Sequence, residues 1–397
     1  MLSNLSFGMN LIGIFSGPSG LSHTGKSIAR TLIANGIQIS IFDIIDNKEG
    51  VLPKDLMPYR VETLSQLNYP VNLYSAPQEF LRALIRYQPI LFLSENRFHV
   101  ASFWWETTEI VAIDQAILSK FDAILTFSNF VSEIAKSNLL LTHHILGRHP
   151  IDTPTGKVNR SSFGFLENTT IFIFSFSIGS DIFRKNPFDI IRAFKLAFDK
   201  GDEDVKLVLK IADFDPDIHE NILNNLMQLI DGENRIQLHC ARLSREEVLS
   251  LYASADVYVS LHRSEGLGLG LIESMGLKKP VIATGWSGNT DFMNHANSCL
   301  VRILNMVSYP KGYKYAGVEL PVEARFANPV IEDASAYMRK LHEDKAFRHS
   351  KGLKSYEGFL RYQKQADDPE WIAELIECWH DRLHLPNVAG KFSTSAT

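Results

Sequence analysis

ADVYVSLHRSEGLGLGLIESMGLKKPVIAT, residues 255–284, alternates between two periods. Asp256 to Ser260 and Pro280 to Thr284 are short apolar runs of strand length, while Gly270 to Leu277 between them has the spacing of a helix. Two strands joined through a helix run parallel in one sheet, because the helix carries the chain back to the same end. The unit sets the class as α/β.

The alternation continues on both sides. In the second half it predicts strands Thr170 to Phe176, Val205 to Ile211 and Arg235 to His239, with helices Pro187 to Asp199, Pro216 to Ile230, Ser244 to Ala253 and Glu332 to Glu343. Pro187 and Pro216 stand where a first helical turn tolerates a missing N–H. In the first half the predicted strands are Asn10 to Phe15, Gln38 to Phe42, Ile90 to Leu93 and Ala123 to Phe127. Helices are predicted from Gly25, Gln78, Thr108 and Asn129, the last capped by Ser128. GRHPIDTPTGKVNRSSFGFLENTT, residues 147–170, breaks both periods and marks a boundary between domains 1–165 and 166–366. Pro369 to Leu383 is aromatic and helical in pattern, within a segment 367–388, and the small polar tail 389–397 is expected to be disordered.

At 397 residues the chain suits two domains, and 45% hydrophobic with 21% charged residues is a globular balance. No apolar run reaches the roughly 18 residues of a membrane span. Met1 to Phe7 has no basic region and Met9 to Phe15 ends in Gly-Pro-Ser-Gly, so the start is not expected to be a signal peptide. A cytoplasmic place is expected, with peripheral contact at the inner face of a membrane left open. The net charge of −5, with no basic run interleaved with aromatics, argues against nucleic-acid partners. Three cysteines at unrelated spacings suggest neither a metal knuckle nor a disulfide framework.

The chemistry is expected in SEGLGLGLIESMGLKKP, residues 264–280. Gly266, Gly268 and Gly270, after a strand and before a helix, let the backbone approach a ligand closely, and the free N–H groups of the helix start attract phosphate oxygens. A diphosphate fits there, against Gly268, Leu269 and Gly270. Glu273, one turn into the helix, can accept two hydrogen bonds from vicinal hydroxyls such as those of a ribose, and Glu265 at the strand edge would face a sugar beyond the phosphates.

Glu265 and Glu273 meet the E-x(7)-E signature of the retaining glycosyltransferases of family 4, and residues 236–293 resemble that family's nucleotide-binding region through nearly their whole length. The resemblance implies a GT-B fold: two Rossmann-like, doubly wound domains facing across a cleft, with a C-terminal helix packing back on the N-terminal domain. It implies a retaining, metal-independent hexosyltransferase that uses a nucleotide-diphosphate sugar, UDP-linked in preference to GDP-linked. A saccharide or lipid-linked oligosaccharide acceptor, a part in polysaccharide biosynthesis and the absence of a cofactor follow from the same resemblance.

SDIFRKNPFDIIRAFKLAF, residues 180–198, resembles the family's phosphate-contacting segment and assigns Lys185 to the leaving diphosphate. Arg184 stands beside it as helper or solvated charge, and Gly179 occupies a place where many members carry a second arginine. Arg242 and Leu243 follow the strand ending at His239, where family members hold the base. Pro329 matches a family Pro-Asp pair, but Val330 replaces the aspartate.

Near the start, GLSHTGKS, Gly20 to Ser27, satisfies the P-loop pattern G-x-x-x-x-G-K-S and opens a second reading, a P-loop NTPase or kinase in which Lys26 reaches phosphate and Ser27 holds magnesium. The family resemblance predicts a glycine-rich first loop there in any case, with Gly17 and Gly20 facing the donor phosphates across the cleft. On the acceptor side, His99 and the run Ser102 to Glu109 follow a strand at its expected cleft end. Trp105 and Trp104 could stack on sugar, and His99 or Glu106 could bind hydroxyls, or the group could be a buried aromatic cluster. His143 and His144 are expected at a helix end.

Overall fold

The computed structural model describes residues 7–17, 20–44, 52–87, 97–315 and 317–384. The expected strand Ile90 to Leu93 and the tail 389–397 lie outside them. In the first domain, strands Gly8–Gly13 (β1), Gln38–Asp43 (β2), Val71–Ser75 (β3), Phe98–Ser102 (β4), Ala123–Thr126 (β5) and His143–Leu146 (β6) form one sheet in the order β2-β1-β3-β4-β5-β6. All its pairs are parallel. Among the described residues its helices are Gly20–Ala34 (α1), Gln78–Tyr87 (α2), Ala112–Leu118 (α3) and Asn129–Asn138 (α4), the last capped by Ser128.

Three of these strands are not visible in the periodicity. β3 and β4 are buried at every position, yet carry Asn72 and His99 inside, which breaks the apolar run that marks a strand covered on both faces. His143 and His144 open β6 rather than close a helix. α3 starts at Ala112, not Thr108, because Thr107 Oγ1 donates to the carbonyl of Glu109 at 2.7 Å and accepts from Trp105 Nε1 at 3.0 Å, holding 105–109 in a turn.

The second domain follows its predicted elements to within two residues at each end. Thr170–Ser177 (β7), a one-turn helix Ile182–Lys185 (α5), Pro187–Ala197 (α6), Val205–Ala212 (β8), Pro216–Ile230 (α7) and Ile236–His239 (β9) come first. Arg245–Ser254 (α8), Val257–Ser260 (β10), Leu269–Gly276 (α9), Val281–Thr284 (β11) and Cys299–Val301 (β12) complete the sheet, ordered β12-β11-β10-β7-β8-β9 and parallel throughout. α8 opens on a capping box in which Ser244 and Glu247 satisfy each other's backbone N–H.

An antiparallel hairpin, Ile303–Ser308 (β13) with Arg325–Pro329 (β14), leaves this domain as an arm. Helices Ile331–Glu343 (α10), Lys345–Ala366 (α11) and Glu370–His384 (α12) follow. α12 returns to the first domain and buries Trp371, Ile372, Leu375 and Trp379 in a core with Met9, Leu11 and Phe127. At about 2 kcal/mol for each large side chain removed from water, that return is a substantial tie. No helix among the described residues is long and apolar enough to cross a membrane.

In each sheet the winding direction reverses once, between β1 and β3 and between β7 and β10. Ligands in open α/β sheets bind beyond the carboxyl ends of the strands at such reversals. The loops following β5, β10 and β11 meet across one gap between the domains, so both reversals open toward the same space.

Candidate functional site

β7 delivers two cations to that space. Asp181 caps α5 by accepting the N–H of Arg184 at 2.8 Å. The helix stops after one turn at Asn186, held left-handed (φ 52°) by bonds from its Nδ2 to Asp189 Oδ2 and to the carbonyl of Leu261, both 2.8 Å. Arg184 and Lys185 therefore point at the loop after β10. Lys185 Nζ donates to Glu265 Oε1 at 2.5 Å. Arg184 Nη1 donates to Glu265 Oε2 at 3.2 Å and to the carbonyl of Ser264 at 3.1 Å. Arg184 is 5% exposed, which removes its reading as a solvated charge.

The cluster reaches across the gap. Arg184 Nη2 lies 3.7 Å from Glu106 Oε1 of the first domain, and the phenol of Tyr315, on the β13–β14 arm, donates to Glu106 Oε2 at 2.5 Å. Burial by itself would raise the Glu265 carboxyl, but Lys185, Arg184 and His262 outweigh it and hold it down at about 2. Burial works against the Arg184 charge too, and Glu106, Tyr315 and Glu265 reverse that and keep it protonated. Lys185 is lowered by burial, with Glu265 pulling it back. Glu265 is thus a buried carboxylate that stays ionised.

The glycine loop lies alongside. A Cβ on Gly266 would stand 3.3 Å from the carbonyl of Trp105, so the loop packs directly on the first domain. Gly268, at φ +95°, is the N-cap of α9, a backbone state that favours glycine. A Cβ on Gly270 would stand 2.5 Å from the Tyr258 hydroxyl. The N–H groups of Leu269 and Gly270, the first in α9, have no partner within the helix, and a helix start of this kind favours an anionic group. Glu273 is buried one turn further on, with both oxygens gripped by the Arg245 guanidinium, one of them at 3.0 Å. Burial raises its carboxyl and Arg245 opposes the rise. Arg242 and Leu243 sit in the loop between β9 and α8, Arg242 exposed and Leu243 half-buried against the domain core.

From the other side, Gly17 (φ +101°) turns the chain out of β1, and its carbonyl accepts from Ser22 Oγ at 3.0 Å and from Lys26 Nζ at 3.3 Å. Gly20 opens α1, where a Cβ would meet Leu269 Cδ1 at 3.5 Å. The first glycine loop therefore faces the second across the gap. The P-loop reading loses its loop here: Gly20 to Ser27 is helical throughout, so no loop within the motif wraps a phosphate, and Lys26 Nζ donates to the Gly17 carbonyl.

Two expected acceptor residues are elsewhere. His99 lies inside β4, 4% exposed, with Nδ1 3.1 Å from the Tyr74 hydroxyl, at the end of the strand away from the gap. Trp105 is 1% exposed, its Nε1 bonded to Thr107 Oγ1 and to the carbonyl of Glu109, so no face is free for a sugar. Trp104 stacks on Phe127 at 5.3 Å. Glu106 alone of the three reaches the gap.

A family model described as Glycosyl transferases group 1 matches residues 160–302, the stretch that holds Lys185, Glu265 and Glu273. No curated protein sequence matches the chain. Sucrose-phosphate synthase from Thermosynechococcus elongatus superposes with a TM-score of 0.64 at 14% identity, over 95% of this chain and 99% of that one. Anabaena HepE in complex with UDP-glucose gives 0.65 at 14% identity, over 94% and 100%. A glycosyltransferase from Rickettsia africae gives 0.64 at 14% identity, over 96% and 99%. The fold is GT-B.

Within this GT-B frame several residues of the gap had no site signal in the sequence, Ser128 having only that of a helix cap. Ser128 Oγ donates to the carbonyl of Gly266 at 2.6 Å. Asp291, after β11, accepts from the Asn129 backbone at 2.9 Å, from Asn129 Nδ2 at 3.0 Å and from Arg148 Nη1 at 3.0 Å. His149 is fully buried beside Trp104 and Phe127, with Nε2 3.0 Å from Thr24 Oγ1. Among the described residues, no group of three or more His, Cys, Asp or Glu side chains is placed to hold a metal ion.

Proposed function

We propose that this chain is a retaining hexosyltransferase that takes a sugar from a nucleotide-diphosphate donor, UDP-linked in preference to GDP-linked. The acceptor in this reading is a saccharide or lipid-linked oligosaccharide in polysaccharide biosynthesis. Transfer takes place without a metal, in the cytoplasm or at the inner face of a membrane. The observation that carries the reading is the Lys185–Glu265–Arg184 cluster set beside the open N–H groups of α9 at the reversal between β7 and β10.

The leaving diphosphate gains charge as its bond to the sugar breaks, so groups that meet that charge lower the barrier. Lys185 and the start of α9 supply positive charge and N–H donors there. Glu265, ionised at any working pH, takes sugar hydroxyls and opposes the positive charge that develops at the anomeric carbon. Glu273 takes the ribose hydroxyls once Arg245 gives way. With stabilisation on one face of the sugar, the acceptor hydroxyl enters on the side the diphosphate leaves, and configuration is kept.

The test is a thermal-shift series with UDP, GDP and their glucose and mannose conjugates in EDTA, followed by proton NMR of the sugar released or transferred. A stabilising nucleotide and an α product from an α-linked donor are expected. A β product, or no stabilisation by any of these nucleotides, ends this reading.

A further inference from the structure

Ser287, in the loop after β11, holds a backbone state that its side chain disfavours. Elsewhere in the second domain Asn186 (φ 52°, ψ 51°) and Asp231 (φ 50°, ψ 53°) occupy the left-handed helical region, which Asn and Asp tolerate. Ser287 stands at φ 75° and ψ −153°, a region that belongs almost wholly to glycine. It is 3% exposed. A glycine would sit there without strain, so what the serine adds is its hydroxyl.

That hydroxyl goes to the loop that carries the buried carboxylate. Ser287 Oγ accepts the N–H of Glu265 at 2.8 Å and donates to the carbonyl of Trp286 at 2.5 Å. The next residue completes the hold: the N–H of Gly288 donates to the Glu265 carbonyl at 2.9 Å. A Cβ on Gly288 would stand 2.1 Å from the Gly266 carbonyl oxygen, so the two loops touch backbone to backbone. Both main-chain groups of Glu265 are therefore fixed by two successive residues, Ser287 and Gly288. From the other side, the Gly266 carbonyl takes the Ser128 hydroxyl of the first domain. A bond from a side chain that is itself pinned sets direction as well as distance. Strain of this kind persists only where the surroundings impose it, and it gathers where exact geometry serves function. Glu265 is the group that takes the sugar hydroxyls, and a displacement of about 1 Å at such a group can cost about a hundredfold in rate.

We propose that Ser287 is a positioning residue, whose hydroxyl and strained backbone hold the Glu265 carboxylate in register with the sugar of the donor. This rests on the transferase reading above.

The experiment is steady-state kinetics and thermal denaturation of the full chain as wild type, Ser287→Gly and Ser287→Ala, with the nucleotide sugar that wild type turns over. Ser287→Gly removes the bond and the strain together, so Tm should stay within about 5 °C of wild type, while kcat falls about tenfold to a hundredfold. Donor KM should change by under about threefold, since the diphosphate and ribose are met by α9, Lys185 and Glu273 rather than by Ser287. Ser287→Ala keeps the strain and loses the bond, and should show the same fall in kcat with a lower Tm. A kcat within about threefold of wild type in Ser287→Gly overturns the proposal. So does a fall in kcat confined to Ser287→Ala and in step with its Tm, because that is a loss of fold rather than of position. If one variant fails to fold, the kcat of the other, measured well below its Tm, decides. Wild type without turnover on any nucleotide sugar sinks the transferase reading together with this inference; turnover that both variants retain sinks only the role of Ser287.

Discussion

One carboxylate clasps the two domains. Asp291 belongs to the second and is 4% exposed at its side chain, yet its three hydrogen bonds go to Asn129 and Arg148 of the first. Bonds to a charged group are worth about 1.5–3 kcal/mol each when nothing replaces them, but water takes over much of that when the gap opens. A net of about 3 kcal/mol for the three is reasonable, which corresponds to a factor of roughly 150 in the closed-to-open ratio. Asp291→Ala should therefore shift the ligand-free protein toward an open form, opposed by the Ser128 to Gly266 bond, by the contacts of Glu106 with Tyr315 and Arg184, and by α12. Small-angle scattering reads this directly: the closed chain should have a radius of gyration of about 21 Å, and the variant a larger one. Donor affinity should fall with the closed fraction, while Tm changes by only a few degrees. Superimposable scattering from wild type and Asp291→Ala would refute the reasoning.

Lys185→Met keeps the side chain's bulk and removes its charge; Arg184 still holds Glu265, so folding should survive, while turnover falls about 10²–10³-fold, the effect of losing one donor to a developing anion. A rate within threefold of wild type would remove Lys185 from the chemistry. Lys26→Ala should leave turnover within about twofold, since Lys26 reaches only the Gly17 carbonyl; loss of an ATPase activity in that variant would revive the P-loop. Stability should fall on acidification. Burial lowers His99 and His149 to about 3, with smaller contributions from Arg382 and Arg97 at His99 and from His23 at His149, and lowers His23 to about 4, where Arg245 and Lys26 assist. Folded, these rings bind protons more weakly than when unfolded, so their contribution is complete above about pH 6.5 and is lost as pH falls below it. Each of His99 and His149 can remove up to about 2 kcal/mol between pH 6.5 and 5. A denaturant midpoint constant over that range would show that these rings titrate normally.

The second domain was legible because its elements obey local rules. A capping serine at Ser244, prolines in the first turns of α6 and α7, and glycines at φ-demanding positions each act within a few residues, and every predicted element there is present. The first domain was less so. β3 and β4 carry Asn72 and His99 at buried places, bonded to side chains inside the sheet: Asn72 Oδ1 accepts from Asn10 at 2.8 Å, and His99 Nδ1 meets the Tyr74 hydroxyl. A pattern reader sees polar residues where the sheet has interior.

The same division runs through the site. Glu265, Glu273 and the three glycines could be named from the chain because a strand, a tight loop and a helix start place them by local geometry, whereas Lys185 was named through the family resemblance. That Glu265 stays ionised, that Glu273 is held by Arg245, and that Glu106 rather than His99 or Trp105 reaches the gap depend on the folded whole. Tyr315 and Glu106 are 209 residues apart, and Asn129 and Asp291 162. Backbone preference and hydrophobic period act over one or two turns and are written in order along the chain; which charges face one another across two separately built sheets depends on how those sheets are set together, and no short stretch of sequence carries that.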